Sequence, residues 1–386
     1  MNASPALRMI SAQTGIYMAH GVNMVFIVVL MAAHGLTPGE IGLVMGLSNL
    51  TRVIFSPCWG MLADRIGQLR LVIAMGASIT IVAMLTILAA DVRGFAPTTA
   101  LILLANIGMS APVPLFDTLT WRSASAGYFT FGHVRAFASV MYVVAVIGGG
   151  FVIEAAGGSS VVWMIVLGNL ASILLLPTLK SAPAMPHRGR FSLLPLLKAR
   201  EYLWMMLCSA LLQGAHAAYY GFSTLLWQSE HISDRIIGAL WGEGVVMEVI
   251  VMLLLRHRLG RLNPWLLTMI GAMLAIIRWS GMALTADPLL LALLQPLHAG
   301  SFTLPYLAAM RVIGDRIPPN LAATAQTVYG ALGTSAPIGV AMALLSPIYP
   351  IWGASVFWLM ALMAAAGLML AAAGWRGRAL PAAVAG

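Results

Sequence analysis

Charge is almost absent from this chain over stretches long enough to cross a bilayer, and the pattern recurs from Thr14 to Trp375. A soluble domain carries roughly 25% charged residues, whereas only 9% of these 386 residues are charged and 60% are hydrophobic. Such a chain cannot coat itself for water. That excludes a soluble globular enzyme, a disordered protein and a secreted disulfide scaffold. One helical span takes about 20 apolar residues, and spans are read near 14–33, 39–60, 71–90, 97–121, 134–155, 160–179, 202–227, 236–255, 263–285, 289–311, 321–346 and 351–374. The expected fold is an all-α membrane protein with twelve transmembrane helices. The first apolar stretch is too long for the core of a cleavable signal peptide. Cys58 and Cys208 both lie in apolar runs, so neither a disulfide nor a zinc or iron–sulfur site is expected; no cofactor and no metal is expected either.

The net charge of +9 and pI near 10.1 could point to nucleic acid, but the basic residues do not form one patch. Arg8, Arg65, Arg70, Arg122, Lys180, Arg188, Arg190, Lys198, Arg200, Arg256, Arg258, Arg261, Arg311, Arg316, Arg376 and Arg378 fall on one set of span ends and loops. The opposite set holds only Arg93 and Arg235. This is a strong positive-inside bias. It places both termini and the central loop on the cytoplasmic side of a multi-pass protein, expected in a bacterial inner membrane. The partners expected are the lipid bilayer, a small-molecule substrate and protons, with no nucleic acid.

The central basic stretch 181–200 divides the chain into halves 1–180 and 201–386. With an offset of 196 residues (237 − 41), Ile41-Gly42 falls on Ile237-Gly238, Arg52 on Glu248 and His20 on His216. Two pseudo-symmetric six-helix halves are read from this repeat, with a substrate site near mid-membrane.

A set of ionisable groups lies inside the spans: His20, Arg52, Asp117, Arg135, His216, Glu243, Glu248, Arg278 and His298. A charge at the bilayer centre costs roughly 2.5–3.5 kcal/mol on the insertion scale, so these groups must face one another or a wet cavity. Two readings stay open, a transport pathway and internal salt bridges that fix helix register. Arg135 offers a planar fork for a carboxylate or vicinal hydroxyls, and Asp117 can meet it across two spans. Glu248 can accept hydroxyl hydrogen bonds or carry a proton, and His298 titrates near neutrality without help. Arg52, the repeat mate of Glu248, is expected on the cavity; His20 and His216 are expected on the cavity or in the core. Gly148-Gly149-Gly150 lacks the Lys-Ser/Thr of a phosphate loop and reads as close helix packing. Pro57, Pro112, Pro114, Pro296, Pro305 and Pro337 are expected to kink their helices.

Between spans 2 and 3 runs Gly60-Met-Leu-Ala-Asp64-Arg65-Ile-Gly67-Gln-Leu-Arg70. It resembles the signature loop G-x-L-a-D-r-x-G-r-k of the major facilitator superfamily, with Gln68 departing from the usual basic residue. The resemblance implies the major facilitator fold and a cytoplasmic gate built on Gly60, Asp64, Arg65, Gly67 and Arg70, its glycines allowing a tight turn and close helix approach. Further on, Phe131-Gly-His-Val-Arg135-Ala-Phe137 resembles F-G-R-A-R-x-F of the lactose permease group, in which a carboxylate also lies 18 residues before the second Arg, as Asp117 does here (135 − 117). Val246-Met-Glu248, Ala275-Ile-Ile-Arg278 and Leu294-Gln295-Pro-Leu-His298 match the same group, which carries Lys at the place of Gln295 and a proton-carrying Glu at that of Ser301. The wording around His298 and around Ala325-Gln326-Thr-Val-Tyr329 is closer to the phenylpropionate permease branch.

These resemblances imply a monomeric secondary active transporter, not an enzyme, that works by alternating access. The expected activity is proton-coupled uptake of an aromatic acid such as a phenylpropionate, or of a sugar or nucleoside. A proton-driven efflux antiporter is the alternative. Arg52, Asp117, Arg135, Glu248 and Arg278 are expected to bind substrate, and Glu248 or His298 to carry the proton.

Overall fold

The computed structural model describes residues 4–179, 194–259, 261–318 and 321–379. Among these the regular structure is helical throughout. In chain order the helices are α1 (Pro5–Ala33), α2 (Pro38–Ile66), α3 (Leu69–Ala89), α4 (Phe95–Met109), α5 (Pro112–Ser125), α6 (Phe131–Ala156), α7 (Ser160–Leu175), α8 (Leu194–Lys198), α9 (Arg200–Gly214), α10 (Ala217–Ser229), α11 (Asp234–Leu259) and α12 (Pro264–Leu284). They continue with α13 (Pro288–Leu294), α14 (Leu304–Arg316), α15 (Ala322–Val328), α16 (Ala336–Leu345), α17 (Tyr349–Trp352) and α18 (Val356–Ala379).

Ten helical stretches among the described residues are long and apolar enough to cross a membrane. Two more, 200–229 and 288–316, are broken at their middles, so the twelve spans read from the sequence are all present as helical rods. Proline explains most of the breaks, since it lacks an N–H and its ring clashes with the carbonyl four residues earlier. Pro112 starts α5 after α4 has ended, and Pro296 follows the end of α13. Ahead of Pro305 and Pro337 the chain takes a different solution. Ala299–Thr303 and Tyr329–Ser335 widen into π-helical turns, whose i→i+5 bonding relieves the clash. Pro57, by contrast, sits inside an unbroken α2.

Loop chemistry sets the helix starts. Ser4, Thr37, Asn263 and Asp287 cap their helices with side-chain oxygens, each followed by a proline in the first turn, as capping and the fixed proline φ favour. Thr37 and Glu40 close a reciprocal capping box. Large apolar side chains such as Leu174, Leu284 and Ile351 lie exposed, the surface expected of spans facing lipid.

The chain divides into two compact units, Met1–His187 with Tyr220–Gly242, and Arg188–Tyr219 with Glu243–Gly386. Packing units and sequence halves therefore differ over 220–242. Within the first unit the reason is close backbone contact. A Cβ at Gly238 would come 2.6 Å from the Val146 carbonyl, and one at Gly242 2.6 Å from Ile147. The Thr224 hydroxyl donates to the Val25 carbonyl at 3.1 Å. Gly149 faces Phe26 at 3.2 Å and Gly150 abuts the backbone at Asp234, so that pair of glycines serves close packing, whereas a Cβ at Gly148 would meet nothing. The first unit's core gathers Ile16, Val72, Phe116 and Val134, and the second's Trp265, Ala308, Val312 and Tyr329. In the second, Tyr202 donates its hydroxyl to the Ala325 carbonyl at 2.9 Å.

Candidate functional site

The second unit holds a linear chain of polar side chains. Arg278 on α12 is fully buried. Its guanidinium donates to His298 Nδ1 at 2.7 Å and to Gln295 Oε1 at 2.8 Å, and it lies over the rings of Tyr219 at 4.3 Å and Trp279 at 4.5 Å. A guanidinium has donors only, so Nδ1 must accept and the ring hydrogen must sit on Nε2. That Nε2 lies 2.7 Å from Glu248 Oε1 on α11 and therefore donates to it. A Cβ at Gly244 would lie 3.4 Å from the His298 ring, and this near contact brings α11 against the break at residues 295–298. Arg278 thus fixes the tautomer through which His298 meets Glu248. The Glu248 side chain is 24% exposed and that of His298 only 6%, so water reaches the carboxylate rather than the imidazole.

Glu248 opens onto a cavity of about 620 Å³. Its wall comes from the π-helical turns and the residues next to them: Phe302, Thr303, Tyr306, Gln326, Thr327, Tyr329, Thr334 and Ser335, with Met252 and Met310. Aromatic faces, hydroxyls and one amide suit a small ligand with an apolar body and a few polar groups. Of these residues only Glu248 was a sequence candidate. The signal available for the rest was a polar run ahead of Pro305 and another ahead of Pro337. Glu243, five residues before Glu248, does not line the cavity. His216 is fully buried; its Nδ1 donates to the Leu212 carbonyl at 2.9 Å and its Nε2 lies 3.3 Å from Ser301 Oγ. It belongs to the core beneath the site. Arg278 likewise differs from its expected place: sealed behind His298, it does not reach the cavity.

The first unit brings Asp117 on α5 and Arg135 on α6 together at 2.9 Å. Tyr17 on α1, absent from the sequence candidates, donates its hydroxyl to Asp117 Oδ1 at 2.6 Å, and Arg135 lies over its ring at 5.1 Å. Arg135 also donates to Ser139 Oγ at 3.2 Å. Both charged side chains are about one-third exposed, 35% and 36%. Arg52 on α2 stands apart from this cluster, within electrostatic range of His20 and Tyr142.

The loop between α2 and α3 turns at Gly67, whose φ of 73° is left-handed and suits glycine. Asp64 lies 3.7 Å from Arg122 on α5, and Arg70 donates to the Leu179 carbonyl at 2.8 Å. Arg65 is exposed. Gly60 departs from the expectation of close helix approach, since a Cβ there would meet nothing within 4 Å. That approach is made deeper in the bilayer, where Gly76 and Gly108 each face the other's carbonyl at 2.7 and 2.6 Å.

Residues 16–360 match the model of the MFS_1 like family. The chain belongs to that family. Within it, the chain is 31% identical over 364 residues to the "Probable 3-phenylpropionic acid transporter" of Escherichia coli (strain K12), covering 92% of this chain and 94% of that one. The fold is shared with a mutant form of the nucleoside transporter NupG, with a TM-score of 0.84, 16% identity, and coverage of 96% of this chain and 100% of that chain. A D-xylose-proton symporter also shares it, with a TM-score of 0.72, 12% identity, and coverage of 96% and 97%. This MFS_1-like protein is an integral, multi-pass membrane transporter of small molecules.

Proposed function

We propose that this MFS_1-like transporter imports a small organic solute with protons by alternating access, the solute being an aromatic acid of the 3-phenylpropionate kind. The 31% identity across nearly both chains supports the solute class. The cavity wall of Tyr306, Tyr329 and Phe302 among hydroxyls suits such a body. Protein orientation follows the charge asymmetry, with both termini cytoplasmic in a bacterial inner membrane, and the working unit is a monomer.

The observation that carries proton coupling is the bond from Arg278 to His298 Nδ1. A second proton on that imidazole would have to displace a guanidinium and stand beside its charge. His298 therefore stays neutral, and Glu248, reached by cavity water, is the group that takes and releases the proton. Asp117, Arg135, Glu248 and Arg52 keep their roles at the solute, and Arg278 becomes a positioning residue. The loop holding Gly60, Asp64, Arg65, Gly67 and Arg70 serves as the cytoplasmic gate, with Asp64 and Arg122 as its separable contact.

The test is uptake of labelled 3-phenylpropionate into proteoliposomes with an alkaline interior, measured against protein-free liposomes because the neutral acid crosses lipid unaided. Accumulation above that background, with stoichiometric acidification of the lumen, is expected. Protein-dependent flux that ignores the proton gradient contradicts the coupling, and flux only outward contradicts import.

A further inference from the structure

One carboxylate oxygen constrains what the cavity of the second unit can hold. Glu248 Oε1 takes a hydrogen bond from His298 Nε2 at 2.7 Å. Among the described residues no other side chain is bonded to Glu248, so Oε2 has no protein donor. The Glu248 side chain is 24% exposed and lines the cavity, so a donor for Oε2 has to come from what the cavity contains. No Lys, Arg or His is among the described residues of that wall, and Arg278 is sealed behind His298. A solute carboxylate placed there would meet a like charge with no cation beside it. The end of an aromatic acid that enters this cavity is therefore the ring.

The wall is built for a ring. Tyr306 and Tyr329 line it with their ring centroids 6.2 Å apart. Tyr329 is held by its own π-helical turn, where a Cβ at Gly333 would come 2.8 Å from the tyrosine ring. Phe302, Met252 and Met310 add apolar lining. Aromatic edges and thioether sulfurs pack well on a flat aromatic body, and a few placed polar groups then set its orientation.

We propose that this cavity reads a hydroxyl on the aromatic ring of the solute, with Glu248 as its partner, so that the preferred solutes are hydroxyphenylpropionates; this deepens the import reading above and rests on it. Glu248 changes protonation state in that reading. The ionised carboxylate only accepts, whereas the protonated one donates from its O–H. A hydroxyl serves both states, donating to the first and accepting from the second. An ether or a second carboxylate on the ring only accepts, and an ammonium only donates. The ring hydroxyl thus stays bonded to Glu248 whether the proton is present or not, while an unsubstituted ring leaves Oε2 without a donor. Phe302, Tyr306 and Tyr329 hold the ring, and Glu248 sets which substituent it carries.

The test is titration calorimetry on detergent-purified full-length protein. The probes are 3-phenylpropionate, its 3-hydroxyphenyl and 4-hydroxyphenyl counterparts, and the methyl-substituted acid that matches the tighter hydroxy isomer in size. One hydroxy isomer is expected to bind about 10-fold or more tighter than 3-phenylpropionate, as a hydrogen bond to a charged group provides. The methyl counterpart should show no such gain. In Glu248→Leu the ratio of hydroxy-acid to 3-phenylpropionate affinity should fall close to one, and measurable binding of both certifies the fold. Should Glu248→Leu not fold, Glu248→Gln takes its place and should cut the ratio several-fold. Hydroxy acids that bind wild type no tighter than 3-phenylpropionate overturn the proposal, as does a ratio that survives in the Glu248 variant. Uptake is read separately in proteoliposomes. Proton-coupled uptake of 3-phenylpropionate with no hydroxyl preference overturns this inference and leaves the import reading standing. A hydroxyl preference in binding without uptake refutes import and leaves the ring site standing.

Discussion

Each unit holds a carboxylate, an arginine and an aromatic ring under the guanidinium, but they are wired differently. In the first, Asp117 and Arg135 touch directly, with Tyr17 donating to the carboxylate, and both charges are partly open to water. In the second, His298 stands between Glu248 and Arg278, and the arginine is sealed beneath Tyr219 and Trp279. A direct pair that is partly open to water offers the polar group of a solute a place to compete. An interposed imidazole leaves the carboxylate with a neutral donor, so it can be protonated without breaking an ion pair. The contrast supports the proposed division, in which Asp117 and Arg135 meet the solute and Glu248 handles the proton.

Breaking the sealed chain should have the largest effect on stability. Arg278→Met strips the donors from His298 Nδ1 and Gln295 Oε1, and leaving two buried acceptors unsatisfied costs about 1–3 kcal/mol each. A thermal-unfolding scan of the detergent-purified protein should show it, and a cost under about 1 kcal/mol would mean that the arginine is not holding the chain. Asp117→Asn leaves Arg135 without a counter-charge, but water reaches that guanidinium, so about 1–2 kcal/mol is expected on the same scan. A larger effect there than at Arg278 would invert the comparison. Tyr17→Phe removes one hydrogen bond from Asp117, worth about 1 kcal/mol, and should change solute affinity more than proton coupling, read as Kd against the flux ratio. Smallest is Arg122→Ala at the proposed gate, where a 3.7 Å pair with a half-exposed Asp64 should contribute under about 1 kcal/mol while still speeding gate opening in a cysteine-accessibility assay.

Much of the fold was legible because bilayer chemistry leaves few choices: apolar length sets the spans, and prolines mark where helices break or widen. The meeting of Asp117 with Arg135 was legible too, since a lone charge in lipid needs a partner and only a few were on offer. The depth of Arg278 was not. Its spacing from His298 permits a guanidinium either facing a cavity or sealed behind the imidazole, and only the rings of Tyr219 and Trp279 closing over it decide between them. Tyr17, Tyr306 and Tyr329 escaped because a tyrosine in a span looks like packing until it is seen to meet Asp117 or to line the cavity. The grouping of 220–242 with the first unit was equally hidden, since the repeat assigns those residues to the second half and small backbone contacts at Gly150, Gly238 and Gly242 override it.

Proteoliposome flux through Glu248→Gln separates proton carriage from solute binding. Solute exchange, with 3-phenylpropionate on both sides and no gradient, needs only binding and conformational change; accumulation against a solute gradient needs the proton. Glu248→Gln is expected to exchange at a rate near wild type and to lose gradient-driven accumulation altogether, while His298→Gln keeps part of it. Accumulation that persists in Glu248→Gln would contradict the assignment of the proton to this carboxylate.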